Sequence, residues 1–220
     1  VFSAAANEVV AFQVVPDLPP RRSGRPHRGF KVSARDLMGP GDAKIPADPN
    51  ITLHRVWYVK KDDGWVGTAC VPLRKPYGET FDIPAADNKV PGQKYQSVWV
   101  DIYVPRGTKP GRYTGEIGIT GETFSVGLGV PIVVDVLPMS LPDRPSFVTE
   151  LNRYNSPIGW VGGDWKQPNA ARRVAWQTYA LAHAHRATLN VLPYSHSSRM
   201  NADYLPKMAG SGTDLRIESW

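Results

Sequence analysis

Three features of the 220-residue sequence predict a two-layer antiparallel β-sandwich followed by a parallel strand-helix-strand unit. The first is punctuation: 20 glycines and 21 prolines interrupt the chain often enough to favour short strands over long helices. The second is period-two alternation of apolar residues between positions 7 and 136, the mark of strands buried on one face. The third is a change of pattern after residue 145, where a strand, a helix and a second strand follow one another.

Taken in order, strands are expected at Glu8 to Val15, Phe30 to Asp36, Ile51 to Lys60 and Trp65 to Cys70. In the next, Val98, Val100, Ile102 and Val104 alternate with Trp99, Asp101 and Tyr103, which sends four β-branched side chains to one face. The segment Pro105 to Gly111 reads as a turn, after which Tyr113, Gly115, Ile117 and Ile119 form another alternating set, so these two strands are expected to pair as a hairpin. Gly121-Glu122 turns the chain into strand pattern at Thr123 to Leu128 and Val130 to Val136. About seven strands result, with no helical stretch among them. A first strand is expected to be missing, because residue 1 falls almost within a strand pattern. Two sheets must then face each other to bury one side of each strand.

Residues 1–137 therefore form the sandwich domain, and residues 138–145, rich in proline, form a linker that sustains neither helix nor strand. From 146 onward, strands are expected at Ser146 to Asn152 and Thr188 to Tyr194, with a helix from about Ala170 to Arg186 between them. Such an order implies a parallel pair joined by a right-handed crossover. Asn169 is the expected N-cap, and Ala171, Val174, Thr178, Leu181, Ala182 and His185 make the helix face expected to pack on the sheet.

Composition excludes several classes. No apolar run approaches the roughly 20 residues needed to span a bilayer, and seven tryptophans, nine tyrosines and six phenylalanines exclude wholesale disorder. A single cysteine, Cys70, precludes an internal disulfide and, with no CxxC motif, supports neither a zinc site nor a thiol nucleophile. Net charge is +6, but the basic residues cluster only at Arg21, Arg22, Arg25, Arg28 and Lys31, among Pro, Ser and Gly, which reads as a solvated loop and not as a nucleic-acid stripe. His183 and His185 lie two apart on the expected helix and point about 160° from each other, so one metal cannot take both. The Asn50-Ile51-Thr52 triplet is a glycosylation sequon of a kind that arises often by chance. No metal, cofactor or phosphate-cradling loop is expected.

Chemistry concentrates after the linker. In parallel α/β folds, reaction sites form at the carboxyl ends of the strands, where loops vary over a rigid frame. Glu150, Asn152, Tyr194 and His196 occupy that end of the two expected strands. A carboxylate pointing inward is costly unless it is paired or used, so Glu150 either contacts substrate or makes a structural ion pair with Arg153 or another base. The loop from Arg153 to Pro168 far exceeds the two to six residues usual for its type, and carries Trp160 and Trp165. Their indole faces suit the C–H face of a sugar ring, or alternatively a seam beneath the sandwich.

Asn7-Glu8 with Ala11-Phe12-Gln13, the run Gln96 to Pro105, Pro110-Gly111-Arg112-Tyr113-Thr114-Gly115, Leu141-Pro142-Asp143, Glu150-Leu151-Asn152 and Ala182 to Arg186 together resemble glycoside hydrolases of family 123. The resemblance runs through most of the chain. It implies an antiparallel all-β sandwich followed by the first βα units of a TIM barrel, and an exo-acting β-N-acetylgalactosaminidase mechanism. In that mechanism the substrate's acetamido oxygen attacks the anomeric carbon while an adjacent Asp-Glu pair on a later strand orients it and transfers the proton. The chain has no Asp-Glu dipeptide, and Asp62-Asp63 reads as a solvated turn. Only 75 residues follow Pro145, against about 250 for a complete barrel.

The expectation is thus the amino-terminal part of a carbohydrate-active protein, inactive by itself, with its barrel truncated over 146–220. Its partners would be a glycan substrate and the remainder of the barrel, on the same or another chain, with no nucleic acid and no membrane span. The resemblance also implies an extracellular or periplasmic location. Glu150, Asn152, Trp160, Trp165, Tyr194 and His196 would contact substrate, with the catalytic residues elsewhere. The alternative is a noncatalytic surface, assembly or glycan-binding protein on the same scaffold.

Overall fold

The computed structural model describes residues 1–16, 26–122, 127–143, 173–174, 177–178, 180–182 and 184–187, and the backbone of 150–152 and 188–190. The chain divides into two compact units, Val1–Leu141 and Pro142–Trp220.

In the first unit the elements run β1 (Phe2–Ala6), β2 (Glu8–Val14), β3 (His27–Ala34), β4 (Leu37–Met38), β5 (Lys44–Ile45), α1 (Ala47–Asn50), β6 (Ile51–Lys61), β7 (Gly64–Pro72), β8 (Thr80–Ile83), β9 (Val98–Val104), β10 (Gly111–Thr120) and β11 (Leu128–Ser140). One sheet is seven-stranded, with the path β1-β11-β10-β3-β8 and the short β4 and β5 attached beside β10. The other is four-stranded, ordered β2-β9-β6-β7. Chain outside the strands includes a single turn of helix, α1, whose first amide, Ala47 N–H, donates to Asp36 Oδ1 at 2.8 Å. That bond, and then Lys44, hold the Asp36 carboxyl below the usual carboxylate range.

Alternation sets the core. Val98, Val100, Ile102 and Val104 of β9 are fully buried, as are Tyr113 and Ile117 of β10 and Val134 of β11. With Phe30, Val32, Leu37, Ile45, Phe81 and their neighbours they form one hydrophobic cluster drawn from the inner faces of both sheets. Phe30 and Phe81 stack within it, ring centroids 5.5 Å apart. Gly115 of β10 makes room for this packing: a Cβ there would lie 2.4 Å from Leu37 Cδ2.

The structure corrects four expectations. β9 and β10 do not form a hairpin: β9 pairs with β2 and β6, whereas β10 pairs with β11, β3 and β4, so the link between them crosses from one sheet to the other. Both strands turn apolar faces inward, and the crossing lets those faces meet across the core instead of lying edge to edge. A strand ahead of Glu8, β1, pairs with β11 in parallel, so the sandwich is not wholly antiparallel. The strands also exceed seven, because β4, β5 and β8 are too short to show a period. Finally, β11 continues to Ser140, into the segment expected as linker. Its register against β1 slips between Ala4↔Val136 and Ala6↔Ser140. Leu137–Met139 therefore bulge where Pro138 need donate no ladder hydrogen bond.

Asn7 ties the layers together. It occupies the left-handed region at φ 63° between β1 and β2, a conformation that Asn tolerates better than most residues. Its main-chain N–H donates to Val104 O at 2.7 Å, its side-chain amide donates to Leu141 O at 3.0 Å, and its Oδ1 accepts from Tyr103 Oη at 2.9 Å. Glu8 Oε2 accepts from Ala5 N–H. On the outer face of β9 the Trp99 indole donates to Asp101 Oδ1 at 2.7 Å. The residues that carry the family resemblance in this unit are thus fold-building residues.

The second unit contains β12 (Glu150–Asn152) and β13 (Thr188–Asn190), paired in parallel with Glu150↔Thr188, Leu151↔Leu189 and Asn152↔Asn190. Residues 173–174, 177–178, 180–182 and 184 between them are helical. The helix closes with Arg186 at φ 56° and Ala187 N–H donating back to Ala182 O at 2.9 Å, which satisfies a terminal carbonyl. Leu181, expected on the packed face, is 61% exposed.

Candidate functional site

Of the residues expected to contact substrate, Glu150 and Asn152 lie in β12, and the register sets Asn152 level with Asn190 of β13. Trp160, Trp165, Tyr194 and His196 lie outside the described residues, as do Arg21, Arg22, Arg25, Arg153 and His183.

A second candidate emerges in the sandwich itself. The β6–β7 hairpin and the irregular segment between β8 and β9 enclose a groove of about 350 Å³, within the range of ligand pockets. Tyr58 of β6 and Trp65 of β7 line it on the hairpin side, and Val90, Pro91, Lys94 and Tyr95 on the other. Trp65 and Tyr95 are 36% and 53% exposed. Sheet geometry explains the hairpin's share. Tyr58 pairs with Gly67 and Lys60 with Trp65, so Tyr58 and Trp65 fall on one face of the hairpin.

The opposite wall is held firmly although it has no regular structure. Asn88 Oδ1 accepts from Tyr58 N–H at 2.9 Å and its Nδ2 donates to Tyr58 O at 2.7 Å, mimicking a strand partner. Gln93 Oε1 accepts from Ala85 N–H, while its Nε2 donates to Tyr95 O and to Gln96 Oε1. Fully buried Gln96 in turn donates to Val56 O at 2.7 Å and to Ser97 O at 3.0 Å. Tyr58 Oη accepts from Ser97 N–H. With all three amides engaged internally, the ligand-facing capacity of this wall falls to Lys94, Tyr95 and the apolar Val90 and Pro91.

Below this segment, Arg55 makes a bidentate pair with Asp87, 2.9 and 2.6 Å, and lies over the Trp57 ring at 5.3 Å. The Arg55 hydrogen bonds hold the Asp87 carboxyl below its usual range despite partial desolvation. A depressed folded-state value means that the pair stabilises the fold above the carboxyl's unfolded pKa and is lost as pH falls through the folded one. Asp87→Asn is therefore expected to flatten the acid limb of a Tm-against-pH curve and to change Tm less as the pH falls; an unaltered acid limb would show the pair to be energetically idle. Because the Asp87 side chain is 57% exposed, the loss at neutral pH is about 1 kcal/mol.

Other chemistry is sparse. Among the described residues no cluster of three or more His, Cys, Asp or Glu could hold a metal, and no helix is long and apolar enough to cross a membrane. Cys70 is exposed on β7, but desolvation at the sulfur, and then the Asp101 charge, push its thiol pKa up, so it stays protonated. Asp62 and Asp63 are exposed between β6 and β7. Asn50 of the sequon donates its side-chain amide to Pro46 O at 3.0 Å.

Sequence reasoning missed the groove because its parts are scattered over 58–95. One signal was available: the irregular stretch between β8 and β9 is longer than most connections in compact domains, a feature that often marks function.

Residues 22–121 match the family model described as glycoside hydrolase 123 N-terminal domain. A solved structure reported under "The details of glycolipid glycan hydrolysis by the structural analysis of a family 123 glycoside hydrolase from Clostridium perfringens" aligns with a TM-score of 0.53 at 18% identity. The alignment covers 71% of this chain and 26% of that one, so the chain spans about a quarter of the relative's length. No curated protein matches. The chain is therefore glycoside hydrolase 123-like in its amino-terminal portion, and over the aligned part it shares a fold with that structure.

Proposed function

We propose that the chain is the amino-terminal part of a glycoside hydrolase that acts on N-acetylhexosamine-containing glycans, with its sandwich preceding the first strands of a TIM barrel. The catalytic acid pair lies beyond this chain, which contains no Asp-Glu dipeptide. Glu150, Asn152, Trp160, Trp165, Tyr194 and His196 bind the substrate. The observation that carries this reading is the parallel register Glu150↔Thr188 and Asn152↔Asn190 downstream of a sandwich that matches the family's N-terminal domain. Parallel neighbours joined by a crossover are the repeating unit of a barrel, and their carboxyl ends are where barrel enzymes bind substrate.

The test uses the complete protein that contains this chain and an aryl N-acetyl-β-hexosaminide. Glu150→Gln and Trp160→Ala are each expected to lower kcat/KM by roughly tenfold to a hundredfold, the loss of about 1–3 kcal/mol of substrate contact. Unchanged turnover and affinity in both variants would remove these residues from the site. A complete protein without hydrolytic activity that still binds glycans would favour the noncatalytic alternative.

A further inference from the structure

We propose that the groove between the β6–β7 hairpin and the segment joining β8 to β9 is a second carbohydrate site, one that binds a pyranose ring on the sandwich, separate in chain position from β12 and β13. The assignment rests on the groove's own chemistry and does not require the hydrolase reading.

Three observations converge on this ligand class. First, aromatic rings line both walls, Tyr58 and Trp65 on one and Tyr95 on the other, and Trp65 and Tyr95 keep 36% and 53% of their surface accessible. A pyranose has an apolar face of axial C–H bonds and an edge of hydroxyls, so it suits flat rings with polar groups beside them. Second, Lys94 lines the same groove and is exposed, and its ammonium offers up to three donors to hydroxyl or ring oxygens. A single lysine makes a poor phosphate cradle, which argues against a nucleotide.

Third, the walls are built in advance. Asn88, Gln93 and Gln96 spend their amides on Tyr58, Ala85, Tyr95, Val56 and Ser97, and so fix the segment that carries Lys94 and Tyr95. Carbohydrate affinities are low per contact, and a site that need not be ordered on binding retains more of what it gains. This arrangement explains why an irregular stretch at the sheet's edge holds a dense side-chain network while Tyr95 within it, and Trp65 on the facing β7, keep their rings accessible to water.

The test is an amide and indole NMR titration of the 220-residue chain with the methyl β-glycosides of galactose, glucose, N-acetylgalactosamine and N-acetylglucosamine. The expected result is millimolar saturable shifts in the Trp65 indole N–H and in residues 92–95 for at least one glycoside. Trp65→Ala and Tyr95→Ala should each weaken that binding about tenfold or more with the spectrum elsewhere preserved, and Lys94→Met should weaken it less. Because Trp65 lies on an edge hairpin, Tyr95→Ala provides the second reading should Trp65→Ala disturb the fold. Glu150→Gln should leave these shifts intact, so failure here and failure of the hydrolase reading are separate results. Absence of shifts with all four glycosides would overturn the proposal, as would binding that survives both aromatic substitutions. Concentration-dependent shifts at the groove without sugar would also overturn it, because they would make the groove a contact between copies of the chain.

Discussion

Tyr113→Ala is expected to lower the free energy of unfolding by about 3–5 kcal/mol, the usual loss for deleting a buried aromatic ring. Tyr113 is the largest of the fully buried side chains and belongs to the cluster shared by both sheets. Its ring lies directly on Gly39, where a Cβ would come within 2.3 Å of Cε1, so the backbone already closes that side and has little room to collapse further. Its hydroxyl donates to Lys109 O at 3.0 Å, which secures the link that carries the chain from β9 to β10. Tyr113→Phe keeps the ring and should cost about 1 kcal/mol, the net worth of one hydrogen bond. Urea unfolding of the three proteins measures both values. A loss below about 1 kcal/mol for the alanine variant would contradict the packing described, since cavity formation at a buried aromatic costs several times that.

Gln96→Leu should cost about 2–3 kcal/mol and loosen the segment between β8 and β9. Leucine is of similar bulk but takes the side-chain donor from Val56 O and the Gln96 acceptor from Gln93 Nε2, which keeps only Tyr95 O, and a buried polar group that loses its partner carries a desolvation penalty. The effect is expected to be local as well as global. Hydrogen exchange at 85–97 should accelerate beyond the change seen at β9 and β10, because Gln96 links Val56 of β6 to Gln93 and so is one of the residues, with Asp87 and Asn88, that fasten this segment to β6. Equal acceleration everywhere would show instead that Gln96 acts only on overall stability.

What could be read from the sequence follows from where period and length are strong. β9 and β10 were legible because each alternates over seven or more residues with one side fully apolar. Their partners were not, since a short link between alternating strands fits a hairpin and a crossing between sheets equally well; only the competition of β2, β6, β3 and β11 for their edges decides it. β4, β5 and β8 have two to four residues each and no measurable period. Pro138 misled because proline argues against a strand in general, while a bulge suspends that rule locally. Glu150 and Asn152 were placed in a strand correctly, and the parallel pairing with 188–190 followed from a helical pattern too long for a turn. The groove was not legible because Tyr58, Trp65 and Tyr95 reach it from three separate stretches, brought together by side-chain amides that carry no periodic signal.

The parallel clasp of β1 on β11 has a bearing on how the molecule is made. Asn7 and Leu141, joined by a hydrogen bond, stand 134 positions apart, so β1 can take its place in the sheet only after β11 has emerged from the ribosome. Until then Phe2–Ala6 lacks the strand it pairs with, and the nascent layer presents an open flank. Biogenesis of this sandwich therefore contains an interval in which β1 must be kept from foreign strands.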